Sequence, residues 1–178
     1  MPRSPYFNPW SLSFFQHKYV VKVGSYGTGQ IAQEYRKFLN YVQNNNKYGS
    51  FVLTPEDPAW WCLIYADSYS RMKYPLAGFC VTHYNELVGM VSAGGGMLPE
   101  ILQAARFIGA EHLSCYNAAG TDNTMASKLS KLGARCTKTM AYDHNSRPHP
   151  RPDMIKSVSF FQLNPVENPY VWQDDFTC

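Results

Sequence analysis

Gly94, Gly95 and Gly96 stand in a row, with Met97 behind them and Pro99 just inside a helix-forming run. Successive backbone N–H groups in such a turn, aimed along a helix start, can hold an anion. The same glycines can also do no more than make a tight strand-to-helix turn, because glycine adopts conformations that other residues avoid. His144 and His149, with Asp143 and Asp153 beside them, are metal-ligating residue types. Their spacing in a proline-rich loop does not put both imidazoles on one helical face, and no third ligand motif is near, so no metal is expected. A cysteine paired with a histidine could act as a nucleophile. Cys80, Cys115 and Cys136, however, fall inside apolar runs and read as buried thiols. Trp60 and Trp61 are adjacent, which on a strand turns one ring to each face.

The elements that must position these groups follow from periodicity. Residues 17–23 (HKYVVKV) alternate and read as a strand. Residues 28–42 place Ile31, Tyr35, Phe38, Leu39 and Val42 on one helical face. WWCLIY, at 60–65, is a short apolar strand. Residues 76–83 and 86–93 form a hairpin around Tyr84 and Asn85. Residues 97–109 are helical, with Leu98, Ile101, Leu102, Ala105 and Ile108 on one side and Pro99 in the first turn. A strand over 112–117 follows. Asp122 or Asn123 then caps a helix that Gly133 ends. Residues 134–142 and 155–163 are the last two strands, antiparallel if the loop NSRPHPRPD simply turns back.

The 178 residues favour one domain. At 45% apolar and 16% charged residues, the chain is globular and not disordered. The net charge is +3, but Lys and Arg are scattered, so the sequence does not indicate nucleic-acid binding. The five cysteines include no CxxC pair, which fits a reducing compartment. No apolar run approaches ~18 residues and the first residues carry no signal-peptide pattern, so a cytoplasmic protein without a membrane span is expected. Residues 1–16 and 164–178 are aromatic arms around a domain over 17–163. With 13 Tyr and 10 Phe in the chain, these arms suggest a protein partner or a homo-oligomer.

Three segments carry a family resemblance. FCVTHYNELVGMVSA, ARFIGAEHLSCYNA and DNTMASKLSKLGARCTKTMAY resemble, in this order, successive stretches of the GNAT superfamily of acyl-CoA-dependent N-acyltransferases. The resemblance spans residues 17–163, and each match is mostly apolar pattern plus one glycine. It implies a mixed α/β fold with a central mixed sheet of about six or seven strands and helices on both faces. It also implies acetyl-CoA or another acyl-CoA as cofactor if the chain is an enzyme. The acceptor would be an amine of a protein, a small molecule or a modified nucleobase.

Two family features are missing. The pyrophosphate loop (Arg or Gln, two residues, Gly, one residue, Gly or Ala) has no match. Gly94, Gly95, Gly96 and Met97 are the residues the resemblance would set against the cofactor. The family's acidic Tyr on the later helix falls here on Leu129 or Ser130. A serine hydroxyl is a poor proton donor to a thiolate, because its pKa lies far above the ~10 of tyrosine. The resemblance then leaves Tyr116 or Tyr142 as substitute acid, and Glu86, His83 or Glu100 as base. Such motif-poor sequences are similar to truncated GNAT-like domains of bacteriophage proteins, including small virion and host-takeover proteins. That likeness implies a binding or structural module that has lost acyl-CoA chemistry, in the host cytoplasm or the virion. The alternative reading is an active N-acyltransferase.

Overall fold

The computed structural model describes residues 10–11, 19–45, 58–66, 73–94, 96–118, 124–146 and 152–164. In chain order these form β1 (Trp10–Ser11), β2 (Tyr19–Gly24), α1 (Gln30–Asn45), β3 (Trp60–Ala66), β4 (Ala77–Val81) and β5 (Leu87–Ser92). Then come α2 (Leu98–Ile108), β6 (His112–Ala118), α3 (Thr124–Lys131), β7 (Arg135–Ala141) and β8 (Ile155–Gln162). The class is mixed α/β, and the order of elements is the one the resemblance implies. The aromatic arms lie mostly outside the described residues. The chain divides into two compact units, Met1–Ala110 with Val166–Cys178, and Glu111–Pro165.

In the first unit the sheet order is β1-β2-β3-β4-β5, antiparallel throughout. β3 is buried at every position from Trp60 to Tyr65, which requires cover on both faces. α1 supplies one cover. Its Ala32, Tyr35, Phe38, Leu39 and Val42 pack with Trp61, Leu63, Tyr65, Cys80 and Val91. Strand alternation turns Cys62 and Ile64 to the opposite face. α2, whose Ile101, Leu102, Ala105 and Ile108 are buried, meets β4. Pro99 opens this helix and Gly109, at φ 107, closes it in the left-handed conformation. Gly78 sits where a Cβ would lie 3.1 Å from the Tyr35 ring and 3.2 Å from Leu63.

The hairpin between β4 and β5 closes through Thr82 and Glu86, with Asn85 in the left-handed region at φ 66. The Thr82 hydroxyl accepts the N–H of Tyr84 at 3.2 Å and of Glu86 at 3.1 Å.

In the second unit β8 lies between β6 and β7, antiparallel to both. Cross-strand register gives each face three rows. One face carries Leu113–Phe161–Cys136, Cys115–Ser159–Thr139 and Asn117–Ser157–Ala141. The other carries His112–Gln162–Arg135, Ser114–Phe160–Lys138 and Tyr116–Val158–Met140. α3 joins β6 to β7 and packs against both; Leu113 and Phe161 of the first face are buried, and Leu129 of α3 is buried too. The same face holds a polar ladder. Asn117 Nδ2 donates to the hydroxyls of Ser157 and Ser159, at 2.8 Å each, and the hydroxyls of Ser159 and Thr139 meet at 3.0 Å. Ser159 is 4% exposed, so these bonds satisfy its hydroxyl away from water.

Two expectations need correction. The strands form two antiparallel sheets and not one central mixed sheet. The reason is visible in β5: between Gly78 and Cys80 the register shifts, so Gly89 and Met90 together oppose Phe79. Gly89 takes φ 64, as a bulge of this type requires. A strand bent by such a bulge offers no regular ladder on its outer edge, and among the described residues β5 pairs with β4 alone. Of the three cysteines read as buried, only Cys80 is; Cys115 is half-buried and Cys136 exposed. β7 is exposed at every residue, which its apolar pattern does not reveal.

Candidate functional site

The glycine turn joins β5 to α2 and belongs to the first unit. Gly94 and Gly96 each leave open space where a Cβ would stand, and Gly96 takes φ 90. Gly95 lies outside the described residues. The Ser92 hydroxyl donates to the Gly94 carbonyl at 2.5 Å. Met97 is the N-cap of α2 and makes no side-chain capping bond, so the first amides of the helix have no partner from that residue. These are the donors the sequence suggested.

Around them the chemistry turns unfavourable to an anion. Pro99 removes one amide from the first turn. Residues 92–100 contain no Lys or Arg. Glu100 occupies the first turn, where its carboxylate already answers the helix dipole, and its Oε2 is buried without a hydrogen-bond partner. A diphosphate at this corner would meet an acidic side chain in the first turn and no cation from the segment. The residues of the corner do not fit the diphosphate of an acyl-CoA.

The proposed catalytic residues divide. His83 is exposed and Glu86 half-buried, both at the hairpin turn. Glu86 and Gly94 lie beyond opposite ends of the six-residue strand β5. Tyr116 belongs to β6 in the second unit, where its ring meets Tyr142 edge-on at 5.8 Å. The structure thus places His83 and Glu86 in one hairpin turn, and brings Tyr116 against Tyr142, its alternative as acid. Among the described residues no group of three His, Cys, Asp or Glu could hold a metal ion. No helix of the described residues is long and apolar enough to cross a membrane.

Sequence reasoning missed the bulge itself. Tyr35 of α1 reaches across to β5 and donates its hydroxyl to the Gly89 carbonyl at 2.6 Å. Burial pushes this phenol far above its ordinary range, and the neighbouring Cys80 thiol adds to the shift. The indole of Trp61 stands edge-on to the Tyr35 ring at 5.3 Å, under the Arg36 guanidinium at 4.7 Å, and its Nε1 is buried without a partner. Arg36 also donates to the Gly27 carbonyl at 2.5 Å. The signal was present: a glycine inside an apolar strand run, LVGMVS, often marks a bulge.

No family model matches the chain, and no curated protein does. Among solved structures it is similar to a Bacillus subtilis acetyltransferase in complex with CoA, at 10% identity and a TM-score of 0.48, over 82% of this chain and 98% of that one. A putative N-acetyltransferase from Lactobacillus plantarum is similar at 13% identity and a TM-score of 0.48, over 83% and 99%. The ribosomal-protein-S18-alanine N-acetyltransferase of Escherichia coli is similar at 12% identity and a TM-score of 0.41, over 83% and 97%.

Proposed function

We propose that this chain is a GNAT-like domain that has lost acyl-CoA chemistry and works as a binding or structural module. One observation carries the reading: the β5–α2 corner pairs an uncapped helix start with a buried, unpartnered carboxylate oxygen on Glu100 and no cation in the segment. An anion-binding corner needs the opposite balance. The tyrosine nearest the bulge, Tyr35, supports the reading too. Its proton is committed to Gly89, and burial holds that proton against release. The partner-binding surface assigned to the aromatic arms, residues 1–16 and 164–178, and a phage accessory or virion role belong to the same proposal.

A second reading has its own observation. The Gly89 bulge and the open space at Gly94 and Gly96 give the corner an accessible backbone, as an acyl-CoA-dependent N-acyltransferase would need. Acetyl-CoA then would be the donor and an amine the acceptor, with His83, Glu86 and Tyr116 as the residues to test.

One experiment separates the two. Unfolding is followed by scanning calorimetry with and without 1 mM acetyl-CoA. Mass action raises the melting temperature of any protein that binds it well below that concentration. The module reading expects no shift. A rise of several degrees, with radiolabelled acetyl transferred to a polyamine or peptide mixture, would replace it with the enzyme reading.

A further inference from the structure

We infer that Tyr41 and Tyr74 form an oxidative coupling site, where a one-electron oxidant joins α1 covalently to the segment that enters β4. The site lies wholly in the first unit and is independent of the acyl-CoA question. The two rings stack with centroids 4.1 Å apart and planes only 10° from parallel. At that separation the ring faces touch, and nothing fits between them. Both partners are held in place. Tyr41 stands three positions after Phe38 on α1, so the helix makes the two side chains neighbours. Phe38 is fully buried, and its ring meets Tyr74 at 6.5 Å, tilted by 33°. Tyr74 packs against the core beneath α1. Lys73 Nζ stands 5.4 Å from the centre of the Tyr74 ring and adds a cation–π contact. Tyr41 is 36% exposed, so a soluble oxidant reaches the pair. The Tyr116–Tyr142 contact of the second unit is of another kind, since at 83° between planes an edge meets a face.

The co-reactant is a peroxide, used by a haem peroxidase. Each phenol gives up one electron and its hydroxyl proton and becomes a neutral phenoxyl radical. The unpaired spin is shared with the two ring carbons beside the C–O bond. One such carbon of Tyr41 and one of Tyr74 form a C–C bond, and Tyr41, at the surface, supplies the twist that the new bond needs. The hydrogen on each bonded carbon then passes through water to the phenol oxygen of the same ring, which restores both aromatic phenols. The protein has lost two hydrogen atoms in all, and one hydrogen peroxide has become two waters. The link joins residues 33 positions apart. It removes conformations from the unfolded chain as a disulfide does, and it fastens the helix that covers the sheet.

The test uses the full chain at low micromolar concentration, a haem peroxidase and limiting hydrogen peroxide. The monomer is isolated, digested with trypsin and read by mass spectrometry and by the blue emission of the coupled biphenol. The expected product joins the peptide of Tyr41 to that of Tyr74, at the summed mass less two hydrogens. In 8 M urea its yield should fall at least fivefold, because the unfolded chain has no stack to favour this pair among its 13 tyrosines. Tyr41→Phe and Tyr74→Phe each keep a ring for packing and should each lose the product, so one variant still reports if the other does not fold. The linked monomer should melt several degrees above the unlinked one. Coupling that maps to Tyr116 and Tyr142 or to other pairs, a yield unchanged in urea, or product retained in Tyr41→Phe each overturns the inference. So does a chain that forms no coupled tyrosine.

Discussion

Tyr35 and Gly89 lie 54 positions apart and are joined by a 2.6 Å hydrogen bond from the phenol to the carbonyl. The bond ties the middle of α1 to the one place where β5 departs from its ladder. A bulge leaves backbone groups without ladder partners, and the tyrosine satisfies one of them. The helix face and the bulge are therefore a single feature of the fold.

Tyr35→Phe tests that coupling. The ring and its packing on Trp61 stay, and only the hydroxyl is lost. Leaving the Gly89 carbonyl without its partner should cost about 1–2 kcal/mol in urea unfolding. The loss should be accompanied by faster amide exchange in β5 but not in β2. Unchanged stability would mean that water replaces the phenol at no cost.

The glycines should separate into three classes on substitution. Gly78→Ala puts a methyl against Tyr35 and Leu63 at 3.1 and 3.2 Å, with the Cys62 carbonyl at 3.4 Å, in a fully packed core. It should destabilise by about 1–3 kcal/mol through overpacking. Gly96→Ala meets no atom, but φ 90 strains any L-residue, so a cost of about 1 kcal/mol is expected. Gly94→Ala meets neither obstacle and should be within about 0.5 kcal/mol of the unmodified chain. Thermal melts of the three variants give the order directly.

At the hairpin, Thr82→Ala removes an acceptor shared by two backbone N–H groups, those of Tyr84 and Glu86. Asn85→Gly relieves a residue held at φ 66. The first should lower stability by about 1 kcal/mol, and the second should be neutral or slightly stabilising. Urea midpoints measured side by side check both signs. Equal losses in both variants would mean that the Asn85 side chain, and not its backbone angle, matters.

Periodicity made nearly every element legible. The heptad-like spacing of Tyr35, Phe38, Leu39 and Val42 gave α1 its buried face, and Gly109 and Gly133 marked where helices stop. What it could not show was anything set by a single residue's offset. One extra residue at Gly89 or Thr137 changes a ladder without changing an apolar pattern. The sequence did pair β8 with β7 through a returning loop, as the structure has it, but could not show that β8 would also pair with β6. Placed between β6 and β7, β8 brings Arg135, Lys138 and Lys156 to one face, although no two of them are neighbours in sequence. A scattered set of cations thus becomes a patch only through topology. The exposure of Cys136 was missed for the same reason, since an apolar run does not say whether a strand is covered.

Alkali should unfold this protein earlier than the ordinary titration of its lysines would suggest. Burial raises the thiols of Cys62 and Cys80 well above 9.0, and raises the phenols of Tyr35 and Tyr65 above 10.0. Cys115 is pushed up to about 11, first by burial and then by the nearby Cys136. Each group keeps its proton in the folded state at a pH where the unfolded chain releases it. Their contribution is therefore complete below about pH 9 and is lost as the pH rises through the folded values. Urea midpoints should be level from pH 7 to 8 and fall steadily from pH 9 upward. Cys115→Ser should flatten the part of that fall between pH 9 and about 11, because the serine hydroxyl does not titrate there. A midpoint that stays level to pH 11 would show that these thiols and phenols are wetter in solution than their burial implies.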